Sequence, residues 1–126
     1  MSKEAKVLIV DDQPRARQSL KALLATWPVI DETQEAANGQ EAIQCIEQAQ
    51  PDLVLMDARM PVMDGLQATR HIKRHWPQIK VIVLSMYGDY QVDAFAAGAD
   101  AFVSKGESPE NVFDKISQVL RARSQT

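Results

Sequence analysis

The sequence predicts an α/β fold of the (βα)₅ type, in which helices cover both faces of a doubly wound parallel five-stranded sheet. Short apolar runs alternate along the chain with segments of helical periodicity, which is typical of such folds. The apolar runs are continuous, as expected of strands that are buried on both faces. With 126 residues, 45% of them hydrophobic, the chain is long enough for one domain with a sizeable core.

The strands are predicted from five short segments, of which four are apolar. The second segment, DETQEAA, is the weakest prediction because most of its residues are polar. In chain order the predicted strands are residues 6–10, 31–37, 51–57, 80–85 and 100–105. A polar strand suits the edge of a sheet, where only part of its surface is buried. We therefore expect the strand order 2-1-3-4-5, the flavodoxin-like one of the two common doubly wound orders.

The helices are predicted from start and stop signals combined with apolar residues at helical spacing. They begin at Pro14 and after the turn signal NGQ, cover residues 65–76 and 89–98, and begin a last time after Ser108. Proline is tolerated in a first helical turn, and the side chains of Asp64 and Ser108 can accept hydrogen bonds from helical N–H groups. Gly98 suits the end of the fourth helix.

Composition and charge exclude several classes of function. The net charge is −3 and there is no basic block, so we expect no direct nucleic-acid binding by this segment. The single cysteine, Cys45, excludes an internal disulfide and fits a reducing compartment. No apolar run approaches membrane-spanning length and the first residues, MSKEAK, are polar. We therefore expect no membrane segment and a cytoplasmic location.

Charged and polar residues stand at the ends of four of the predicted strands. They are Asp11 and Asp12 after strand 1, Asp57 at the end of strand 3, Ser85 at the end of strand 4 and Lys105 at the end of strand 5. Ligands of such sheets bind beyond the carboxyl ends of the strands, where the strand order reverses, here between strands 1 and 3. One acidic residue in such a position is as often a helix cap or a solvated side chain. The coincidence at four strand ends favours a site.

Three carboxylates in contact need compensation. Each pair costs roughly 4 kcal/mol at 4 Å with an effective dielectric constant of 20, so either some carboxylates are protonated or cations are present. Lys105 supplies one positive charge. Mg²⁺ supplies two and prefers one or two carboxylates together with water and phosphate oxygens, with Mn²⁺ as the alternative ion. The acidic pair is therefore interpreted as half of a metal site.

A carboxylate can also act as a nucleophile and carry an aspartyl phosphate. Asp57 is the candidate because it ends the most central apolar strand, while Asp12 would mainly hold the metal and Asp11 would assist directly or through water. Ser85 and Lys105 would bind the new phosphoryl oxygens. Their movement would alter the face made by the fourth helix, the fifth strand and the fifth helix.

The segments LIVDDQP, DLVLMDARMPVMDG, VIVLS and GADAFVSKG resemble the receiver domain of two-component response regulators. The resemblance covers residues 5–120, so it implies a single receiver domain over 1–126 with that core and a CheY-like fold. The stretch GADAFVSKGESPENV is most similar to receivers of the NarL/FixJ (LuxR-type) transcription regulators. Many receivers have proline after the lysine, in a cis peptide. Gly106 stands there in this chain, so a cis bond is not assumed.

The resemblance implies a role for each matching residue. The acidic pair is Asp11 and Asp12, the phospho-acceptor is Asp57, the switch residues are Ser85 and Phe102, the lysine is Lys105, the backbone carbonyl completing the metal site is that of Arg59, and the residues tuning the phosphoryl lifetime are Arg59 and Tyr87. Because Phe102 has no hydroxyl group, any switching by it would occur through packing.

The resemblance also implies partners and an output. The phosphoryl donor would be a phosphohistidine of a sensor histidine kinase, phosphorylation would promote homodimerisation, and transcription would be controlled through an output domain outside this chain. The only chemistry would be self-phosphorylation and self-dephosphorylation. The alternatives are a stand-alone receiver that acts by protein–protein interaction, a Mg²⁺-dependent phosphatase with an aspartate nucleophile, a flavodoxin-like cofactor binder and a pseudo-receiver scaffold. A phosphatase would need a cap over its substrate, and no insertion is long enough for one.

Three other residues receive structural interpretations. His71 and His75 have the i, i+4 spacing of a helical metal site, but no third ligand is near in sequence and a solvated helix face is expected. Cys45 lies beside an apolar helical stripe and is expected to be a small, partly buried residue.

Overall fold

A computed structural model describes the backbone of residues 5–86, 88 and 90–124, and the side chains of those up to 121. Five parallel strands form one sheet in the order β2-β1-β3-β4-β5, which confirms the predicted fold class and strand order. The strands are β1 (Ala5–Val10), β2 (Ile30–Ala36), β3 (Leu53–Asp57), β4 (Lys80–Ser85) and β5 (Ala101–Ser104). The helices are α1 (Pro14–Ala25), α2 (Gly39–Gln48), α3 (Gly65–His75), α4 (Tyr90–Ala96) and α5 (Pro109–Ser124).

Two strands are shorter than the sequence predicts. β3 begins at Leu53 instead of residue 51, because its ladder with β1 begins where Val7 pairs with Leu53. β5 covers Ala101–Ser104 instead of 100–105, although its hydrogen bonding extends one residue further at each end. The N–H of Asp100 donates to Val81 O at 2.8 Å, and that of Lys105 donates to Ser85 O at 2.8 Å. These short hydrogen bonds fix where Lys105 leaves the sheet.

The core lies in two layers, one on each face of the sheet, because successive side chains of a strand point to opposite faces. In β1, Leu8 and Val10 pack with the apolar sides of α2 and α3, while Val7 and Ile9 pack with residues of α1 and α5. Most residues of β2 are exposed or half-buried, as expected for a polar edge strand. The sheet is therefore covered on both faces, and its carboxyl ends open at one rim.

The start signals of the helices act as predicted. Pro14 lies in the first turn of α1, and Asp64 Oδ1 accepts a hydrogen bond from the N–H of Gln67 at 2.8 Å. Ser108 Oγ accepts one from the N–H of Asn111 at 3.3 Å. Each cap satisfies a helical N–H that has no partner within the helix.

Two helices end before the predicted residues. α3 ends at His75, and Trp76 leaves helical geometry as its C-cap. α4 ends at Ala96, and residue 89 at its predicted start lies outside the described residues. After α4 the N–H groups of Gly98 and Ala99 donate to Phe95 O and Ala94 O, both at 3.0 Å, in a Schellman arrangement. Gly98 has φ +103°, where a side chain would be strained.

The backbone also bears on two sequence predictions, those for the Lys105–Gly106 peptide bond and for membrane-spanning helices. Within the part of the chain that is described, no peptide bond is cis, and this includes Lys105–Gly106. In the same part, no helix combines the length and the apolar character needed to cross a membrane.

Candidate functional site

Three carboxyl groups and one ammonium group meet at the carboxyl end of the sheet. One carboxylate oxygen from each of Asp11, Asp12 and Asp57 lies within 4.8 Å of the others. Lys105 Nζ lies 2.9 Å from Asp11 Oδ2 and 3.0 Å from Asp57 Oδ1, so it bridges the ends of β1 and β3. These four residues are called the acidic site below. When all four are ionised, two negative charges remain uncompensated.

The local backbone orients the two aspartates that follow β1. The N–H of Asp11 continues the sheet by donating to Ala36 O of β2 at 3.1 Å. Its carboxylate Oδ1 accepts a hydrogen bond from the N–H of Gln13 at 2.9 Å and turns the chain toward α1. Asp11 is therefore buried, with 2% of its surface exposed, while Asp12 is exposed beside it.

Burial and charge act in opposite directions on Asp57 and Lys105. Burial raises the pKa of the Asp57 carboxyl group, the hydrogen bond from Lys105 opposes this, and the charges of Asp11 and Asp12 raise it further. Burial alone would lower the pKa of Lys105, but hydrogen bonds to Asp11 and Asp57 raise it above its usual value. Lys105 therefore stays charged, and its hydrogen bond only partly offsets the effects that raise the pKa of Asp57.

An open cleft of about 550 Å³ lies over the acidic site. Asp57 reaches it from the end of β3 with 8% of its surface exposed, and Ser85 reaches it from the end of β4 with 2% exposed. Arg59 is exposed at the same cleft. The cleft thus brings a small ligand within reach of Asp57, Ser85 and Lys105 together.

The other predicted site residues lie elsewhere or are not described. Phe102 is buried in β5 and packs within the core layer that contains Met56 and Val83. It also lines a second cleft, between α4, β5 and α5. Tyr87 lies outside the described residues. Phe102 therefore lies in the core and is not among the described residues that line the cleft over the acidic site.

The loop after Asp57 contains two unusual backbone features. A Cβ atom on Gly65 would lie 1.9 Å from Asp57 O, so only glycine permits this close approach of α3 to the end of β3. Val62 has φ +72°, and the N–H of Met63 donates across it to Pro61 O at 2.9 Å in a γ-turn. In the sequence, Pro61 and Gly65 indicate a shaped loop after Asp57, but no residue marks the strained valine.

The histidine pair and the cysteine have the structural roles expected of them. The rings of His71 and His75 stack with centroids 4.1 Å apart, and His75 Nδ1 lies 2.9 Å from His71 O. Among the described residues, the acidic site is the only group of three or more side chains suited to a metal ion. Cys45 is half-buried, and burial followed by the charge of Glu41 raises the pKa of its thiol.

Residues 7–117 match the response regulator receiver domain. The chain belongs to this family. It is 41% identical over 109 residues to the uncharacterized transcriptional regulatory protein YhcZ of Bacillus subtilis. This alignment covers 85% of the chain and 51% of YhcZ. It is 39% identical over 121 residues to the response regulator protein VraR of Staphylococcus aureus. This alignment covers 94% of the chain and 58% of VraR.

Solved structures give the same result for this receiver domain. A two-component response regulator of the LuxR family from Aurantimonas superposes with a TM-score of 0.90 at 30% identity, covering 96% of this chain and 88% of the other. A CheY-like receiver domain protein from Methanospirillum hungatei superposes with a TM-score of 0.89 at 28% identity, covering 98% of each chain. The predicted receiver fold and its resemblance to LuxR-type receivers are confirmed. The chain spans 51–58% of the length of YhcZ and VraR.

Proposed function

We propose that this receiver domain is a phosphorylation-controlled switch in which Asp57 accepts a phosphoryl group from a phosphohistidine of a sensor histidine kinase. The supporting observation is the acidic site itself. Asp57 opens into a cleft beside the acidic pair of Asp11 and Asp12, and Lys105 contacts the carboxylates of Asp57 and Asp11. Asp57 ends β3, next to the point where the strand order reverses, and doubly wound sheets bind their ligands at that point.

The donor set fits Mg²⁺, with Mn²⁺ as the alternative ion. Carboxylate oxygens are the ligands these hard cations prefer, and the two uncompensated charges match a divalent ion. Asp12 and Asp57, the backbone carbonyl of Arg59, and Asp11 directly or through water would hold it. When bound, the ion supplies positive charge that offsets the negative charge of the phosphoryl group.

The side chains of the site then have distinct tasks in the transfer. An Asp57 carboxylate oxygen attacks the phosphorus atom, a new O–P bond forms, and the P–N bond to the donor histidine breaks. The electron pair of that bond returns to the imidazole of the donor. The Lys105 ammonium, already 3.0 Å from Asp57 Oδ1, and the Ser85 hydroxyl donate hydrogen bonds to phosphoryl oxygens. This draws Ser85 toward Asp57 and shifts Lys105 onto the phosphoryl group. Hydrolysis of the same O–P bond by water resets the domain, so self-phosphorylation and self-dephosphorylation are its only reactions.

The output follows from where Ser85 and Lys105 lie. Both stand at strand ends next to β5, so their movement would repack Phe102 and reshape the face of α4, β5 and α5. Homodimerisation and control of transcription through an output domain would read this face. The greater lengths of the relatives YhcZ and VraR support an output domain, and the alternative is a stand-alone receiver that acts by protein–protein interaction.

The proposal also covers the extent and location of the domain and the lifetime of its phosphoryl group. We take residues 1–126 to be one cytoplasmic receiver domain with its core at 5–120. Arg59 and Tyr87 would tune the lifetime of the phosphoryl group. Arg59 is exposed at the rim of the cleft, where it can influence the approach of water. The Arg59→Ala variant is therefore expected to dephosphorylate at an altered rate, and an unchanged lifetime would contradict this role.

The proposed function is tested by intact-mass spectrometry after incubation with acetyl phosphate. The wild-type domain should gain one phosphoryl group with Mg²⁺ and none with EDTA. Asp57→Asn should gain none in either buffer, while the matched variant Asp64→Asn, outside the acidic site but at the same cleft, should be phosphorylated like the wild type. Equal phosphorylation of Asp57→Asn would refute the assignment of the acceptor.

A further inference from the structure

A basic side chain connects the edge of the sheet to the acidic site. Arg17 lies in α1, and its Nη1 donates to the backbone oxygen of Asp11 at 2.7 Å. Its Nε donates to Glu35 Oε1 on β2 at 3.0 Å, and its side chain is only 18% exposed. One guanidinium group therefore joins α1, β2 and the backbone of the acidic pair.

The position of Arg17 is unfavourable for the helix alone. α1 has no acidic residue in its first turn, and a cation near a helix N-terminus opposes the helix dipole. The hydrogen bonds to Asp11 and Glu35 compensate this cost.

We infer that Arg17 is a positioning residue for the metal half of the acidic site, an inference that rests on the proposed function. Asp11 is held at its N–H by Ala36 O, at its carboxylate by the N–H of Gln13 and at its carbonyl by Arg17. The carbonyl of Asp11 belongs to the peptide that leads into Asp12. Fixing this peptide fixes the direction in which the exposed carboxylate of Asp12 faces a metal ion.

The sign of the effect separates positioning from simple electrostatics. Arg17 is a cation close to a cation site, so by charge alone its removal should strengthen the binding of a divalent ion. Loss of positioning should weaken that binding, because groups that orient metal ligands typically contribute about 10- to 100-fold to metal affinity. The two interpretations of Arg17 therefore predict opposite changes.

Lys21 provides a matched control within the same helix. Its Nζ lies 3.5 Å from Glu35 Oε2, so Arg17 and Lys21 share an ion-pair partner. Arg17→Gln and Lys21→Gln each remove one positive charge and one contact to Glu35. Of the two, only Arg17→Gln removes the hydrogen bond to Asp11.

The test is a titration of the wild type and the two variants with Mn²⁺, followed by the electron paramagnetic resonance signal of free Mn²⁺, with Mg²⁺ as competitor. Circular dichroism first establishes that each variant is folded at the temperature used. We expect Arg17→Gln to raise the Mn²⁺ dissociation constant about 10-fold. Lys21→Gln should leave it unchanged or slightly lower it.

The outcomes separate this inference from the proposed function. An unchanged or lower dissociation constant for Arg17→Gln, with Mn²⁺ binding by the wild type, would overturn the positioning role alone. Equal weakening in both variants would also overturn it, because the shared contact to Glu35 would then explain the loss. Absence of Mn²⁺ binding by the wild type would overturn both this inference and the proposed metal site.

Discussion

The two ends of the sheet carry ion clusters of opposite design. At the carboxyl end, one lysine, Lys105, contacts the two carboxylates of Asp11 and Asp57. At the amino end, one carboxylate, that of Asp100, contacts the two lysines Lys73 and Lys80, at 3.0 and 3.9 Å. The first cluster has more acids than bases, and the second has more bases than acids.

The clusters also differ in how completely their polar groups are satisfied. Lys73 Nζ donates to Pro77 O, Ile79 O and Asp100 Oδ2, which uses all three of its N–H bonds. Asp100 Oδ2 also accepts the N–H of Val81. These contacts fasten the end of α3 to the starts of β4 and β5. The hydrogen bonds of the amino-end cluster therefore have a structural role, whereas the acidic site keeps two uncompensated negative charges that a divalent cation can offset.

The backbone shows the same contrast. Near the amino end the chain adopts positive φ at Gly98, where it costs little. Near the carboxyl end it adopts positive φ at Val62, a β-branched residue that is strained there and 77% exposed. Strain and uncompensated charge thus lie at the same end of the sheet, the strain in the loop that follows Asp57.

The largest effect is expected from removing the lysine of the amino-end cluster. Lys73→Met leaves two carbonyl groups and the Asp100 carboxylate without their shared donor, so we expect the free energy of unfolding to fall by about 2–3 kcal/mol. Lys80→Met, which loses one longer contact, should lose less than about 1 kcal/mol. Urea denaturation measures both. Equal losses would mean that the hydrogen bonds of Lys73 do not distinguish the two lysines.

Exchanging the residues at the two positive-φ positions should shift stability in opposite directions. Gly98→Ala places a side chain at φ +103° and about 3.2 Å from Lys73 Cγ, so unfolding should become easier by about 1–2 kcal/mol. Val62→Gly relieves strain and should stabilise the domain by about 1 kcal/mol. Thermal unfolding of both variants checks the prediction, and destabilisation by Val62→Gly would show that the turn is not strained.

Neutralising one acid should also have opposite effects with and without metal. Asp12→Asn removes repulsion toward Asp11 and Asp57, so in EDTA it should stabilise the domain by about 1 kcal/mol. Saturating Mg²⁺ should stabilise the wild type and reverse the order of the two proteins. Calorimetry in both buffers measures this. If Asp12→Asn were less stable than the wild type in EDTA, repulsion among the carboxylates would not destabilise the acidic site.

The sequence predicted most of the ion cluster at the carboxyl end of the sheet, but not the ion cluster at the amino end. Asp11, Asp57 and Lys105 follow from the topology, because parallel strands bring their carboxyl ends to one edge. The partners of Arg17 and Lys73 could not be predicted from the sequence. Arg17 contacts Glu35 and Lys73 contacts Asp100, and these contacts between distant parts of the chain depend on how the helices pack against the sheet. The polar β2 was correctly placed at the edge, because an exposed strand tolerates polar residues.

The smallest effect concerns a thiol near a single carboxylate. Burial, followed by the charge of Glu41, raises the pKa of Cys45, so its thiolate should form at a higher pH than in the unfolded chain. Iodoacetamide should therefore modify Cys45 more slowly in the folded domain, with a midpoint shifted to higher pH than in urea. Glu41→Gln should speed the reaction slightly. A midpoint below that of the unfolded chain would contradict this.

The central claim is that the charge imbalance at the carboxyl end serves phosphoryl transfer to Asp57. The most direct measurement is borohydride reduction of the domain after reaction with acetyl phosphate, followed by peptide mapping of the reduced residue. We expect reduction at position 57 alone, in Mg²⁺ and not in EDTA. Reduction at Asp11, Asp12 or another carboxylate, or reduction at Asp57 that is independent of the metal, would contradict it.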